Sequence, residues 1–334
     1  MLGFIVRRTL LVVPVAWAAV TLLFLLFFVV PGDPVEGLAG QGRSVTPAVR
    51  HNIEAKLGLD RPWYVQYGRY MKRLAAGDLG RSYQSDRSVN DVAGQAAPAS
   101  VRLAVWAMVV EVLVGVAVGI LSAVKRHSFV DTLATVSTTM LVALPVFVLG
   151  YLLQIMLGVY AFQHDFPRWA RFPVQGIGPD SWAFLVVPTG SQWRYLLLPV
   201  LTLASVSTAV VARLMRTTML EVDRADYMRT AAAKGLRTTG VVLRHGVKNA
   251  MIPVVTFVGV DLATLIGSAI LTETVFNWPG LGSRIAGAVG AQDAPVVLGL
   301  SLLVVLAYLV LSLLVDLSYA FFDPRLRHGS EGLR

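Results

Sequence analysis

Six stretches of apolar residues recur along this chain, at about 9–30, 101–124, 129–159, 195–214, 251–271 and 296–320, and nothing else in it constrains the fold so strongly. Each is close to or beyond the ~20 residues that a helix needs to cross a ~30 Å hydrocarbon core. Backbone polar groups find no water partners in lipid, so a spanning segment must satisfy them internally, as a helix does. The reading is therefore an all-α integral membrane protein with six transmembrane helices. Composition agrees, with 55% hydrophobic and only 15% charged residues, against about 25% charged in an ordinary soluble domain. Arg7 and Arg8 precede the first run, which is longer than the roughly 7–15 apolar residues of a signal peptide. It is expected to be an uncleaved first span with its N-terminus inside.

The first two spans are separated by about seventy mostly polar residues. Pro31-Gly-Asp-Pro34 ends the first helix, because neither proline can continue it. Thr46-Pro47 reads as N-cap and first position of a helix carrying Val49, Ile53 and Leu57, stopped by Gly58. Arg61-Pro62 opens a second helix, with Trp63, Tyr67, Tyr70, Met71 and Leu74 before Gly77, and Ser88 with Asp91 resembles a capping box that starts a third. The insert is expected to be a compact, helical, extracytoplasmic element, and its aromatic stripe reads first as a packing face. The organisation expected is residues 1–100 as first span plus insert, 101–320 as core transmembrane domain with a loop at 216–250, and 321–334 as a cytoplasmic tail.

Only Lys125-Arg126-His127-Ser128 separates the second and third spans, a basic turn suited to the cytoplasmic side. Gly115 and Gly119 form a GxxxG pair that permits close helix approach. Leu144-Pro145 should kink the third span, either beside a pathway or as a packing irregularity. Aromatics and Pro167, Pro173, Pro179 and Pro188 fill 162–194, a composition that fits the membrane–water boundary. With the N-terminus inside, 15 of the 29 Lys and Arg fall in 67 cytoplasmic residues. Charges in the long insert count little toward orientation, and both termini are expected in the cytoplasm of a bacterial inner membrane.

The longest basic connection lies between the fourth and fifth spans. Asp226-Tyr-Met-Arg229-Thr230-Ala231-Ala232-Ala233-Lys234 is helix-prone, and Gly235 before Leu236 is the expected left-handed stop. Thr238 or Thr239 can cap a second helix through Val242, Leu243 and Val247. The alanine-rich helix, the glycine and Arg244-His245, Asn249-Ala250 and Ile252-Pro253 resemble the cytoplasmic coupling loop of ABC importer permeases in the dipeptide, oligopeptide and nickel branch. The common pattern has Glu-Ala-Ala where this chain has Arg229, Thr230 and Ala231, so no role for a glutamate is implied. Leu57-Gly-Leu-Asp-Arg-Pro62, Gly77-Asp-Leu-Gly-Arg-Ser-Tyr83 and Glu273-Thr-Val-Phe276-Asn-Trp-Pro279-Gly280-Leu281-Gly282 are similar to further hallmarks of that branch, in its first permease subunit. The resemblance reaches from the first span to Asp323-Pro324-Arg325.

It implies the type I importer fold and a peptide-importing permease that encloses half of a pathway. A second related permease, two ATPase subunits or domains and an extracytoplasmic substrate-binding protein would be its partners. Residues Asp226, Arg229, Thr230, Ala231, Ala232, Ala233, Lys234, Gly235 and Leu236 would couple it to the ATPase. ATP and Mg would belong to those partners, since this chain has no G-x-x-x-x-G-K-[ST] cradle and no cofactor of its own is expected. Nickel and glutathione carriers share the architecture, but nickel favours imidazole and no histidine lies within a span.

Enzyme readings have little support, with His-Glu-x-x-His and Gly-x-Ser-x-Gly both missing, and no catalytic residue or metal site is expected. Cysteine is absent, which excludes disulfides and thiolate ligands. A net charge of +9 without interleaved aromatics is a membrane-protein charge pattern rather than a nucleic-acid surface. An ion-coupled secondary transporter would show inverted repeats, and none is evident. Glu111, Asp261 and Asp316 stand inside spans, where an ionised carboxylate costs about 2.5–3.5 kcal/mol and must face protein or a watery cavity. Glu111 and Asp261 either anchor helix packing or line the pathway and attract a peptide's ammonium group; Asp316 reads as structural.

Overall fold

The computed structural model describes residues 2–26, 61–178, 187–188, 191–233 and 238–322. The expected helix opening at Thr46-Pro47, the stop at Pro31–Pro34, the turn at Gly235 and the tail from Asp323 lie outside the described residues. In chain order the helices are α1 (Leu2–Phe24), α2 (Trp63–Ala75), α3 (Val89–Val124), α4 (Phe129–Ala143), α5 (Val146–Leu153), α6 (Ala161–Gln163), α7 (Gln192–Asp223), α8 (Asp226–Ala233), α9 (Thr238–Val241), α10 (Val247–Val275), α11 (Leu281–Gly290) and α12 (Ala294–Phe322). Wider π-helical turns join α5 to α6 over Gln154–Tyr160 and α9 to α10 over Val242–Gly246.

Five of these stretches are long and apolar enough to cross a bilayer: Val89–Val124, Val146–Gln163, Gln192–Asp223, Val242–Val275 and Ala294–Val315. The first expected span is present as the apolar helix Thr9–Phe24, and its expected end at residue 30 lies outside the described residues. Expected boundaries shift in three places, the simplest being the fourth span, expected to end near residue 214, whose helix runs on to Asp223. The third insert helix and the second span are one helix, capped at Ser88, whose Oγ accepts from the Asn90 backbone N–H. The third span is interrupted rather than bent: Leu144 is extended (φ −86°, ψ 130°), and the helix restarts after Pro145. Proline disfavours the helical region for the residue before it, which is what ends α4 there.

The chain divides into two compact units, residues 1–100 with 279–334 and residues 101–278. In the first, α1 and α12 pack together, with Val20, Phe24, Tyr70, Leu298 and Leu302 buried between them and α2. Thr21 and Tyr67 share a hydrogen bond of 2.7 Å. The Gly77–Tyr83 motif is a strapped turn: Asn90 accepts from the Leu79 N–H and donates to the Gly77 carbonyl, and Gly77 and Gly80 take the positive φ values (77° and 102°) that glycine allows. Buried Asp293, just before α12, receives the Ser82 hydroxyl at 2.5 Å and the Tyr83 N–H at 2.9 Å. Burial pushes the Tyr70 and Tyr83 hydroxyls up to about 12, with the Arg73 charge pulling both the other way.

The second unit is built around α7. Its apolar window is 72% buried, against 33% or less in the other four spanning stretches. α4, α5 and α10 all pack on it. α3 joins at Gly115 and Gly119, which lie hard against the α7 backbone. A Cβ built on Gly119 would sit 2.7 Å from the Ala212 carbonyl oxygen, and one on Gly115 would sit 3.0 Å from that of Thr208. The GxxxG pair therefore acts as the sequence suggests. Gln154, in the π-helical stretch, donates to the carbonyls of Val174 and Val275 and ties that end of the third span to the end of α10. Glu273 and Trp278 close the motif after α10, with the Trp278 N–H on the Glu273 carbonyl and both side chains fully buried.

Candidate functional site

Described residues on both sides of the connection between α7 and α10 pack against the helix ends. α7 runs to Asp223, and only Arg224 and Ala225 separate it from α8. Asp226 begins α8 with its charge at the N-terminus, where the helix dipole favours it. Met228 and Ala231 turn inward and meet Val241 of α9 and Val222 of α7 in a small apolar cluster. Tyr227 accepts from the Asn249 side-chain amide at 3.0 Å, and the same amide donates to the His245 carbonyl. Gly246 faces the ends of Met219 and Met228. The second helix expected from Thr238 or Thr239 runs on through Val242, Leu243 and Val247: α9, the π-helical turns and α10 are continuous from Thr238 to Val275.

The outer face of α8 is polar. Asp226 and Arg229 form an i,i+3 pair at 3.7 Å with side chains 97% and 76% exposed, worth little in itself. Thr230 is exposed and bonds back to the Asp226 carbonyl, and Ala233 is exposed. Ala231 is buried, and Ala232 lies in the helix. Lys234, Gly235 and Leu236 lie outside the described residues. A shallow depression of about 350 Å³ at the end of α7 is lined by Thr217, Leu220, Glu221 and Arg224.

The two mid-span acids are neighbours, although 150 residues separate them in the chain. Glu111 of α3 is completely buried, and neither of its carboxylate oxygens has a hydrogen-bond donor. Asp261 of α10 is half-buried, with Oδ2 equally unpartnered. Asp316 lies in α12, and its side chain is outside the described residues. Among the described residues, no group of three or more His, Cys, Asp or Glu is placed to hold a metal ion.

A third constellation was not visible in the sequence. Asp131, in the first turn of α4, takes a two-pronged contact from Arg216 of α7, Nε to Oδ1 at 2.8 Å and Nη2 to Oδ2 at 2.9 Å. Ser122 of α3 and the His127 N–H also donate to it. Its members are 9 and 85 residues from Asp131 on other helices, and no spacing rule reaches that far.

Comparison with known proteins bears on the whole chain. Residues 115–328 match the family described as binding-protein-dependent transport system inner membrane component, and residues 1–104 match the N-terminal family that accompanies it. The chain belongs to this family. The dipeptide transport system permease protein DppB of Alkalihalophilus pseudofirmus is 36% identical over 98% of this chain and 100% of its own length. The protein of that name from Escherichia coli K12 is 37% identical, covering 98% and 99%. A glutathione transport system permease protein, GsiC of Escherichia coli, is 36% identical over 98% of this chain and 100% of its own. Membership brings the type I importer membrane fold and a transport rather than an enzymatic role, so the six-span helical reading of the sequence holds.

Proposed function

We propose that this chain is one of two permease subunits through which an ATP-driven importer passes di- and oligopeptides inward, and that α8 couples it to the ATPase. The observation that carries the coupling role is the division of α8 into two faces. Met228 and Ala231 fasten it to the feet of α7 and α9, while Asp226, Arg229 and Thr230 stay in solvent. A partner pressing on the exposed face moves the spans behind it. The ATPase would bring ATP and Mg, a related permease the other half of the pathway, and an extracytoplasmic binding protein the substrate. This loop, both termini and the basic turn at 125–128 are assigned to the cytoplasm of the inner membrane.

Peptide is the favoured substrate because two of the relatives named above are dipeptide permeases. The Glu111–Asp261 pair supports it chemically. Two carboxyl groups side by side and short of donors favour a positive charge between or beside them, and a peptide's ammonium group supplies one. Half-buried Asp261 is the more accessible member, Glu111 being completely buried. Glutathione also carries an ammonium group, and the GsiC relative favours that second reading.

The test is co-purification of the tagged chain with its partners, reconstitution in liposomes, and ATP-dependent uptake of a labelled dipeptide in competition with glutathione. Peptide uptake that needs ATP and the binding protein is expected. Stoichiometric isolation without any ATPase, or uptake of neither solute, would reject the assignment. Asp261→Asn should lower uptake at least several-fold while the ATPase still docks; unchanged uptake of every peptide tried removes Asp261 from the pathway.

A further inference from the structure

We propose that the Asp131–Arg216 pair is a mechanical joint of the transport cycle, through which the third span follows the coupling loop; this rests on the coupling role proposed for α8. Arg216 stands on the second-last turn region of α7, seven residues before Asp223, where α7 hands over to α8. At 1.5 Å per residue that is roughly 10 Å of unbroken helix. Movement delivered at Arg224 therefore reaches Arg216 with little loss.

At that level α7 grips two other helices in different ways. Its contact with α3 is made by close apolar packing at Gly115 and Gly119, which bare α3 to Val211, Met215 and the carbonyl oxygens of Thr208 and Ala212 on α7. Its contact with the start of α4 is ionic, and the carboxylate is almost fully satisfied: two guanidinium nitrogens, the Ser122 hydroxyl at 2.5 Å and the His127 N–H at 3.0 Å. Arg216 Nε also donates to Ser122 at 3.1 Å, so one serine serves both charges. The Asp131 side chain is 8% exposed and that of Arg216 30%. A two-pronged guanidinium–carboxylate contact fixes orientation as well as distance, unlike a lysine point charge. It holds the foot of α4 to α7 as one body.

The chain contains no cysteine, so cysteines put in place of exposed Thr132 of α4 and Thr217 of α7 are its only spin-labelling sites, once any cysteines of the partner subunits have been replaced. In the intact importer, the 132–217 distance is expected to stay the same between the resting and vanadate-trapped states. A change in that distance overturns the joint. The functional arm uses the double variant Asp131→Asn/Arg216→Gln, which leaves no unpaired buried charge. It should assemble, yet spend at least tenfold more ATP per peptide imported, with Arg216→Lys intermediate. A double variant that assembles and keeps the native ratio refutes the proposal, as does one whose only defect is a lower yield of assembled complex with native coupling. If the unaltered importer shows no ATP-dependent uptake at all, it is the coupling reading of α8 that fails instead.

Discussion

Gly119→Ala measures how tightly the second unit is packed. A Cβ at this position would lie 2.6 Å from the Met215 Cβ and 2.7 Å from the Ala212 carbonyl oxygen. Ordinary contacts begin near 3.5 Å, so α3 and α7 must part locally by about 0.8 Å. The oxygen belongs to the backbone and cannot rotate away. Overpacking of this kind costs about 1–3 kcal/mol, while the change from glycine to alanine within a helix returns roughly 0.5–1 kcal/mol. Gly267→Ala separates the two contributions, because Gly267 sits within α10 of the same unit and a Cβ there meets nothing within 4 Å. The propensity gain cancels between the variants, leaving the packing cost of about 1–3 kcal/mol as their difference. At roughly 2–4 °C per kcal/mol, Gly119→Ala should melt some 2–12 °C below Gly267→Ala. The assay is thermal unfolding of the purified complex in detergent, followed by tryptophan fluorescence. Equal midpoints, or a higher one for Gly119→Ala, would refute the close approach of α3 to α7.

Tyr70→Phe should leave the melting midpoint unchanged or raise it, because the Tyr70 hydroxyl is buried without a partner and its removal breaks no hydrogen bond; a clear fall would mean that the hydroxyl is satisfied. Asp293→Ala should cost about 1–3 kcal/mol by stranding Ser82 and the Tyr83 N–H, and amide exchange across 79–88 should speed up first, so protection equal to native there sinks the strapped-turn account. Gly235→Val should uncouple ATP hydrolysis from uptake by straining the left-handed turn expected after α8, whereas Gly235→Asn is tolerated; normal transport by the valine variant contradicts that turn.

Much of the helical layout was legible because local chemistry sets it. Pro62 and Gly77 bracket α2, and Ser88 caps α3 where the sequence places a cap. Apolar length marked the spans, since the bilayer imposes it. What could not be read belongs to tertiary packing. The helix from Ser88 passes through residue 100 because Pro98 does not end it, and the π-helical stretches at 154–160 and 242–246 leave no mark in hydropathy. The carboxyls of Glu111 and Asp261 could each be singled out as costly in lipid, but their meeting depends on how α3 and α10 face each other. Asp131 carries no such signal, because one acid beside a basic turn looks like a solvated end until Arg216 closes on it.

The extended residue before Pro145 gives the third span two separate anchors. Below the interruption, α4 is held at Asp131; above it, the stretch from Val146 is pinned where Gln154 reaches across to Val275. An axle cut at its middle cannot carry a twist from one end to the other. Rotation that arrives at the foot of α4 is taken up at Leu144, and the far half answers instead to its own packing on α7 and α10 and to the grip of Gln154.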